Sequence, residues 1–199
     1  MNEDITKLED MVAQARAGDM GAFEALYQRH QAGIYMFLRS QVREAELAAD
    51  LTQQTFVRAW ESLARLREPG AFQSWLHRIA LNLVRDEAKS GRARLEVVAT
   101  DLGDERTGAA VGEAAARDPT PEALALSSEL RDRVWQALGS VPAEQRAALV
   151  MHHMTGMSVA EIAKAMKVRP GTVMSRLARG REALRKLLGS YVEGQNGSM

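Results

Sequence analysis

Residues 158–188 read SVAEIAKAMKVRPGTVMSRLARGREALRKLL, and this stretch decides the fold class. Ser158 stands where a helix N-cap belongs. Glu161, three residues on, completes a capping box, so that two N–H groups the first turn leaves without partners are satisfied. Ile162, Ala163 and Met166 recur at helical spacing as an inner face, and the small Ala163 permits close approach of a second helix. Lys167-Val168-Arg169 makes a short connection, and Pro170 suits the first turn of the next helix, where its missing N–H costs nothing. Val173 and Leu177 then face inward, four apart, which leaves Thr172, Ser175, Arg176 and Arg179 on the outer side. This is the pattern of a helix-turn-helix. A second helix exposing guanidiniums and hydroxyls is suited to the DNA major groove. Arginine can bond guanine O6 and N7 together, while hydroxyls and amides at the helix start hold phosphate. The plainer reading of the same residues is a solvated basic helix in a helical hairpin.

Helical periodicity extends upstream over about 142–154 and about 122–138, the latter through Leu124, Leu126, Leu130, Val134 and Leu138. Residues 91–121 differ. GRARLEVVATDLGDERTGAAVGEAAARDPTP has no aromatic residue, is rich in Gly, Ala and Asp, and closes with Pro119 and Pro121. It reads as a flexible acidic linker. Before it come four further helices. The first covers about 4–17, stopped by Gly18; the second about 20–40; the third about 44–66; the fourth about 71–90, after the break at Pro69-Gly70. They carry Phe23, Tyr27, Phe37, Phe56, Trp60, Phe72 and Trp75, enough for one small core. The expectation is therefore all-α: two small helical domains, 1–93 and 122–190, joined by a flexible acidic linker at 94–121 and followed by a disordered tail at 191–199.

The chain has 199 residues with 26 basic and 26 acidic side chains, so its formal charge is zero. Divided by segment the charge is uneven. Residues 1–90 hold 11 basic and 13 acidic groups, 91–130 hold 4 and 8, and 131–199 hold 11 and 5. A basic end beside an acidic middle points to a polyanionic partner for the former. There is no cysteine, which excludes a disulfide framework and every thiolate metal site. No apolar run approaches the roughly 18–20 residues of a membrane span, and MNEDITKLEDM lacks the apolar core of a signal peptide. His30, His77, His152 and His153 are scattered, with no H-x-x-x-H, nucleophile elbow or phosphate loop. No catalytic residue, metal site or cofactor is expected.

Two N-terminal stretches add chemistry. Asp50-Leu51-Thr52-Gln53-Gln54-Thr55-Phe56-Val57-Arg58 sets a polar cluster between apolar anchors, either a recognition face or a merely solvated one. Phe72-Gln73-Ser74-Trp75-Leu76-His77-Arg78-Ile79-Ala80, with Asn82, Arg85, Lys89, Arg92 and Arg94, mixes aromatic, amide and basic groups. That mixture suits single-stranded nucleic acid, whose bases stack on rings while cations follow the backbone. Trp75 fits equally well beneath the helix, in the core.

The ordered combination is more specific than its parts. Asp50-Leu51-Thr52-Gln53, then Phe72-x-Ser74-Trp75-Leu76-x-Arg78-Ile79-Ala80-x-Asn82, an acidic linker, and Gly171-Thr172-Val173-x-Ser175-Arg176-Leu177 in a helix-turn-helix together resemble a bacterial RNA polymerase sigma factor of the extracytoplasmic-function (ECF) subfamily. The resemblance spans about 20–93, the family's region 2, and about 122–188, its region 4. It implies a promoter-specificity subunit that binds polymerase core and assists melting, without catalysis of its own. Asp50, Gln53, Gln54, Phe56 and Arg58 would meet the β′ clamp helices. The segment from Leu63 to Phe72 would capture a flipped-out base of the −10 element, where a pocket must offset the cost of unstacking. Arg67, Phe72, Trp75, Arg78, Asn82, Arg85 and Lys89 would contact the −10 strand. Arg169, Pro170, Gly171, Thr172, Ser175, Arg176 and Arg179 would read the −35 duplex, with region 4 on the β flap. The linker would thread toward the polymerase cleft and mimic nucleic acid by its charge. The resemblance also implies a cytoplasmic location and an anti-sigma factor wedged between the domains, able to hold the chain at the inner membrane.

Three residues depart from the family's pattern. Gln54 stands where glutamate is common, removing a charge from the polymerase contact. Lys167 replaces the glycine of the turn and is expected in a left-handed conformation at some cost. Gly180 replaces alanine and is expected to weaken the recognition helix by about 1 kcal/mol. The competing reading is a helix-turn-helix regulator whose N-terminal domain senses a ligand or dimerises and makes no polymerase contact.

Overall fold

The computed structural model describes residues 2–42, 44–90 and 132–196, with side chains for 6–42, 44–89 and 132–189. The linker expected at 94–121 and the start of the helix expected from 122 lie outside the described residues. Helices α1 (Asn2–Arg16), α2 (Met20–Gln41), α3 (Ala45–Ser62) and α4 (Phe72–Ser90) make the N-terminal unit. Helices α5 (132–139), α6 (Ala143–His153), α7 (Val159–Met166) and α8 (Pro170–Asn196) make the C-terminal one. Among the described residues there is no strand, and the fold is all-α.

Local chemistry sets the boundaries. Gly18 at φ 97° turns the chain out of α1, in a conformation that costs glycine nothing. Asp19 then caps α2, its carboxylate accepting from the Ala22 N–H at 3.1 Å. The expected third helix stops short of residue 66. α3 ends at Ser62 and tightens into a 3₁₀ turn at Leu63–Arg65, with a second such turn at Pro69–Ala71. α8 runs past the expected end near 188, as far as Asn196.

Leu26, Ile34, Phe37, Leu38, Leu51, Leu63, Phe72 and Leu76 fill the N-terminal core. Phe23 packs on Trp60 at 4.9 Å and Tyr27 edge-on to Phe56 at 4.7 Å, geometries that ring quadrupoles favour. In the C-terminal unit Met151, Met157, Ile162, Val173 and Leu177 are buried. The Arg146 guanidinium donates to the carbonyls of Gly139 at 2.9 Å and Val141 at 3.2 Å. It thereby answers one carbonyl at the end of α5 and one in the turn that follows.

The two units are docked on one another. α4 packs against α7 and α2 against α6, and the buried side chains of both units form one continuous apolar cluster. α4 accounts for this. Its buried positions 72, 76, 80 and 83 make one stripe, and 74, 77, 81 and 84 an adjoining one. A helix buried over so wide an arc needs partners on two sides. Gln73, on the second side, donates its side-chain amide to the Thr155 carbonyl at 2.7 Å, across the junction.

Candidate nucleic-acid and protein-binding surfaces

α3 is held by Leu51, Thr55, Phe56 and Ala59, all buried, and turns its opposite face outward. Asp50, Gln53, Gln54, Val57, Arg58 and Glu61 line a shallow open groove there. Four of the five residues expected on this face are thus brought together. Phe56 is not among them: it is 4% exposed and lies against Tyr27, so it anchors the helix from behind. Val57 and Glu61 join the groove although the sequence reading passed over them. Val57 is 57% exposed, an apolar residue on a polar face at helical spacing, and that anomaly was the available signal. Arg58 lies 3.8 Å from Asp86 of α4.

Trp75, Arg78, Asn82, Arg85 and Lys89 follow one another at alternating steps of three and four, so α4 carries them along one edge. Asn82, Arg85 and Lys89 are exposed, Arg78 is half-buried and Trp75 is 9% exposed, its ring 6.0 Å from that of Phe72. Phe72 itself is wholly buried. In this arrangement the cations and the amide form the accessible strip, and the two aromatic rings support it from within. Arg67 is exposed in the connection between α3 and α4.

The helix-turn-helix is built as its sequence implies. The Ser158 hydroxyl accepts from the Glu161 N–H at 3.3 Å, and the Glu161 carboxylate accepts from the Ser158 N–H at 2.8 Å. Lys167 is left-handed, at φ 55° and ψ 46°. Arg169, Pro170, Gly171, Thr172, Ser175 and Arg179 are exposed along the start of α8. Arg176 differs. Its side chain is only 22% exposed, drawn to the Glu144 carboxylate at 3.0 Å and to the Met166 sulfur at 3.6 Å. Gly180 is buried at the α6–α8 crossing, where an added Cβ would come within 2.7 Å of Leu149.

Residues 26–94 match the family described as Sigma-70 region 2, and 131–184 match Sigma-70, region 4. The ECF RNA polymerase sigma-E factor of Escherichia coli K12 is 32% identical over 187 residues, 92% of this chain and 95% of that protein. The chain belongs to the ECF RNA polymerase sigma factors. The SigE factor of Mycolicibacterium smegmatis is 35% identical over 173 residues, 86% of this chain but 63% of that longer protein. Two solved structures share the sigma fold. CnrH, in complex with the cytosolic domain of CnrY, gives a TM-score of 0.68 at 28% identity, over 92% of this chain and 98% of that one. The sigma factor RpoE of Bartonella quintana, in complex with the anti-sigma factor NepR, gives 0.61 at 25%, over 84% and 96%.

In this sigma factor one carboxylate joins the two sets of arginines. Glu144, in the first turn of α6, bonds Arg176 of the recognition helix through one oxygen and Arg85 of α4 through the other, at 3.3 Å. Neither partner was foreseeable from a glutamate at that position.

Two further groups of the sigma factor were passed over. His77 on α4 is buried and its Nδ1 lies 2.9 Å from the Gln73 carbonyl. A carbonyl only accepts, so Nδ1 carries the proton and Nε2 is the buried nitrogen without a partner. His30 on α2 lies tilted against Phe72, ring centroids 5.3 Å apart, its Nε2 likewise unpartnered. Burial holds both imidazoles down at about 4, with their mutual repulsion adding at His30 and the Gln73 carbonyl and Glu161 opposing at His77. Among the described residues no helix is long and apolar enough to cross a membrane.

Proposed function

We propose that this sigma factor works in the cytoplasm as the promoter-reading subunit of RNA polymerase, with no catalytic step of its own. The groove on α3 is its contact with the β′ clamp helices, through Asp50, Gln53, Gln54, Arg58 and the added Val57 and Glu61. The edge of α4 follows the −10 strand, with Arg78, Asn82, Arg85 and Lys89 on its backbone and the 63–72 connection capturing one extruded base. The start of α8 enters the major groove of the −35 element, where Arg169, Thr172, Ser175 and Arg179 contact phosphate and base edges. Region 4 engages the β flap, and the acidic linker passes toward the polymerase cleft.

The observation that carries this reading is the pairing of an exposed polar groove on α3 with an exposed cationic edge on α4. A regulator acting on duplex DNA through its helix-turn-helix alone has use for neither. The complex of Bartonella quintana RpoE with the anti-sigma factor NepR supports an anti-sigma partner for this chain too. The test is transcription from a promoter by core polymerase with and without the purified protein. Initiation only in its presence is expected; failure to bind core would end the proposal.

A further inference from the structure

We propose that Met174 is a base-reading residue, whose thioether packs on the C5-methyl group of a thymine in the −35 duplex. The proposal rests on the promoter-reading role above and names one base that the recognition helix selects.

The outer face of α8 carries two rows. Val173, Leu177 and Gly180 are buried and fix which side is inward. On the other side Thr172, Ser175 and Arg179 succeed one another at steps of three and four, all exposed. Their hydroxyls and guanidinium can answer phosphates and base edges. Gly171, Met174 and Ala178 follow beside them at the same steps and are exposed too. This second row has no side-chain N–H or O–H to offer.

Met174 is the one protrusion in its row. It is 61% exposed, and its neighbours one turn before and after are glycine and alanine. Nothing within the chain calls for that glycine. Gly171 is not in the left-handed region, and an added Cβ would meet nothing within 4 Å. Glycine lowers helix propensity, so the missing side chain serves something that approaches from outside. An apolar residue standing singly on a surface needs no explanation in general. Met174, however, lies beside the row that reads duplex, so bound DNA covers it.

Groove chemistry then identifies its target. A base-edge amino or carbonyl group covered by a thioether loses its water and gains no hydrogen bond in return. The thymine C5-methyl is the apolar group that base pairs present in the major groove. A flexible, polarisable thioether meets a methyl without demanding one fixed geometry. Burying a methyl-sized group is worth about fourfold in affinity. Met174 therefore selects among sequences more than it holds the duplex.

The experiment removes the methyl alone. Holoenzyme first selects its −35 element from duplexes randomised over that element. Each thymine of the selected element is then replaced singly by deoxyuridine, which pairs as thymine does but lacks the C5-methyl. Binding is measured with wild-type and Met174→Ala holoenzyme. At one position deoxyuridine is expected to lower wild-type affinity about fourfold and to leave the affinity of Met174→Ala unchanged. Arg179→Ala is expected to weaken binding and yet keep the deoxyuridine penalty. Penalties that are the same with methionine and alanine at every position overturn the proposal and leave the promoter-reading role standing. If wild-type holoenzyme selects no −35 sequence at all, that role falls, and the proposal with it.

Discussion

Gly180 in α8 lies directly over Leu149 in α6: a Cβ at position 180 would be 2.7 Å from Leu149 Cδ1 and 3.0 Å from its Cγ. Leu149 is 3% exposed and has little room to retreat. The glycine that looked like a weakness of the recognition helix is therefore what lets α8 cross α6 at this distance. Gly180→Ala gains about 1 kcal/mol of helix propensity against about 1–3 kcal/mol of overpacking. A net loss of about 1 kcal/mol is expected in urea unfolding, partly recovered by adding Leu149→Val. A stabilised single variant would show that the crossing is looser.

Lys167 occupies the left-handed region with a full side chain, at a cost of roughly 1–2 kcal/mol that glycine avoids. Lys167→Gly is expected to stabilise the protein by about 1 kcal/mol and raise its melting temperature by about 2–4 °C for a chain of this size. Lys167→Ala, uncharged but equally strained, should leave the melt nearly unchanged. That contrast separates backbone strain from charge.

Two imidazoles buried neutral make stability depend on pH. The unfolded chain takes up protons below the ordinary value of 6.5, whereas His30 and His77 in the folded chain resist until about 4. The unfolded state therefore binds more protons in this window, and stability is full above pH 6.5 and lost as pH falls toward 4. The loss amounts to on the order of 3 kcal/mol for each group. Urea midpoints measured between pH 7.5 and 4.5 check this, and His30→Leu should flatten the curve by about half. A flat wild-type curve would mean that the rings are not buried as described.

The arginines of α8 should separate into two kinds. Arg179 is exposed, so Arg179→Ala in holoenzyme is expected to weaken −35 binding by about 1–3 kcal/mol with the melting temperature unchanged. Arg176 is shielded and bonded to Glu144 and Met166. Arg176→Ala is expected to lower both promoter affinity and thermal stability, the latter by up to about 1 kcal/mol. Footprinting across −35 variants and a melt of the free protein measure the two effects.

What was legible in the sequence was local. The Ser158–Glu161 box and the inward Ile162, Val173 and Leu177 follow from spacing alone, because capping and amphipathicity act within a few residues, whereas the left-handed Lys167 followed from the glycine that the family places in the turn. The polar cluster of α3 was legible for the same reason; the four-residue spacing of Phe56 and Trp60 suits the core, and only the resemblance placed Phe56 among the polymerase contacts. The docking was not legible. Gln73 and Thr155 are 82 residues apart, and Gly33, Glu144 and Gly180 disclose their partners only once the helices are in place. The one forewarning lay in α4, where His77, Leu81 and Val84 make a second buried stripe that a single small domain does not need.

That second stripe also bears on how the chain is made. α4 is complete at residue 90, but the helix that covers it, α7, ends at Met166. Ribosomes add about 5–20 residues per second, so the intervening 76 residues take roughly 4–15 s to synthesise. Until α7 has been made, the stripe of His77, Leu81 and Val84 on α4 has no helix of region 4 to cover it.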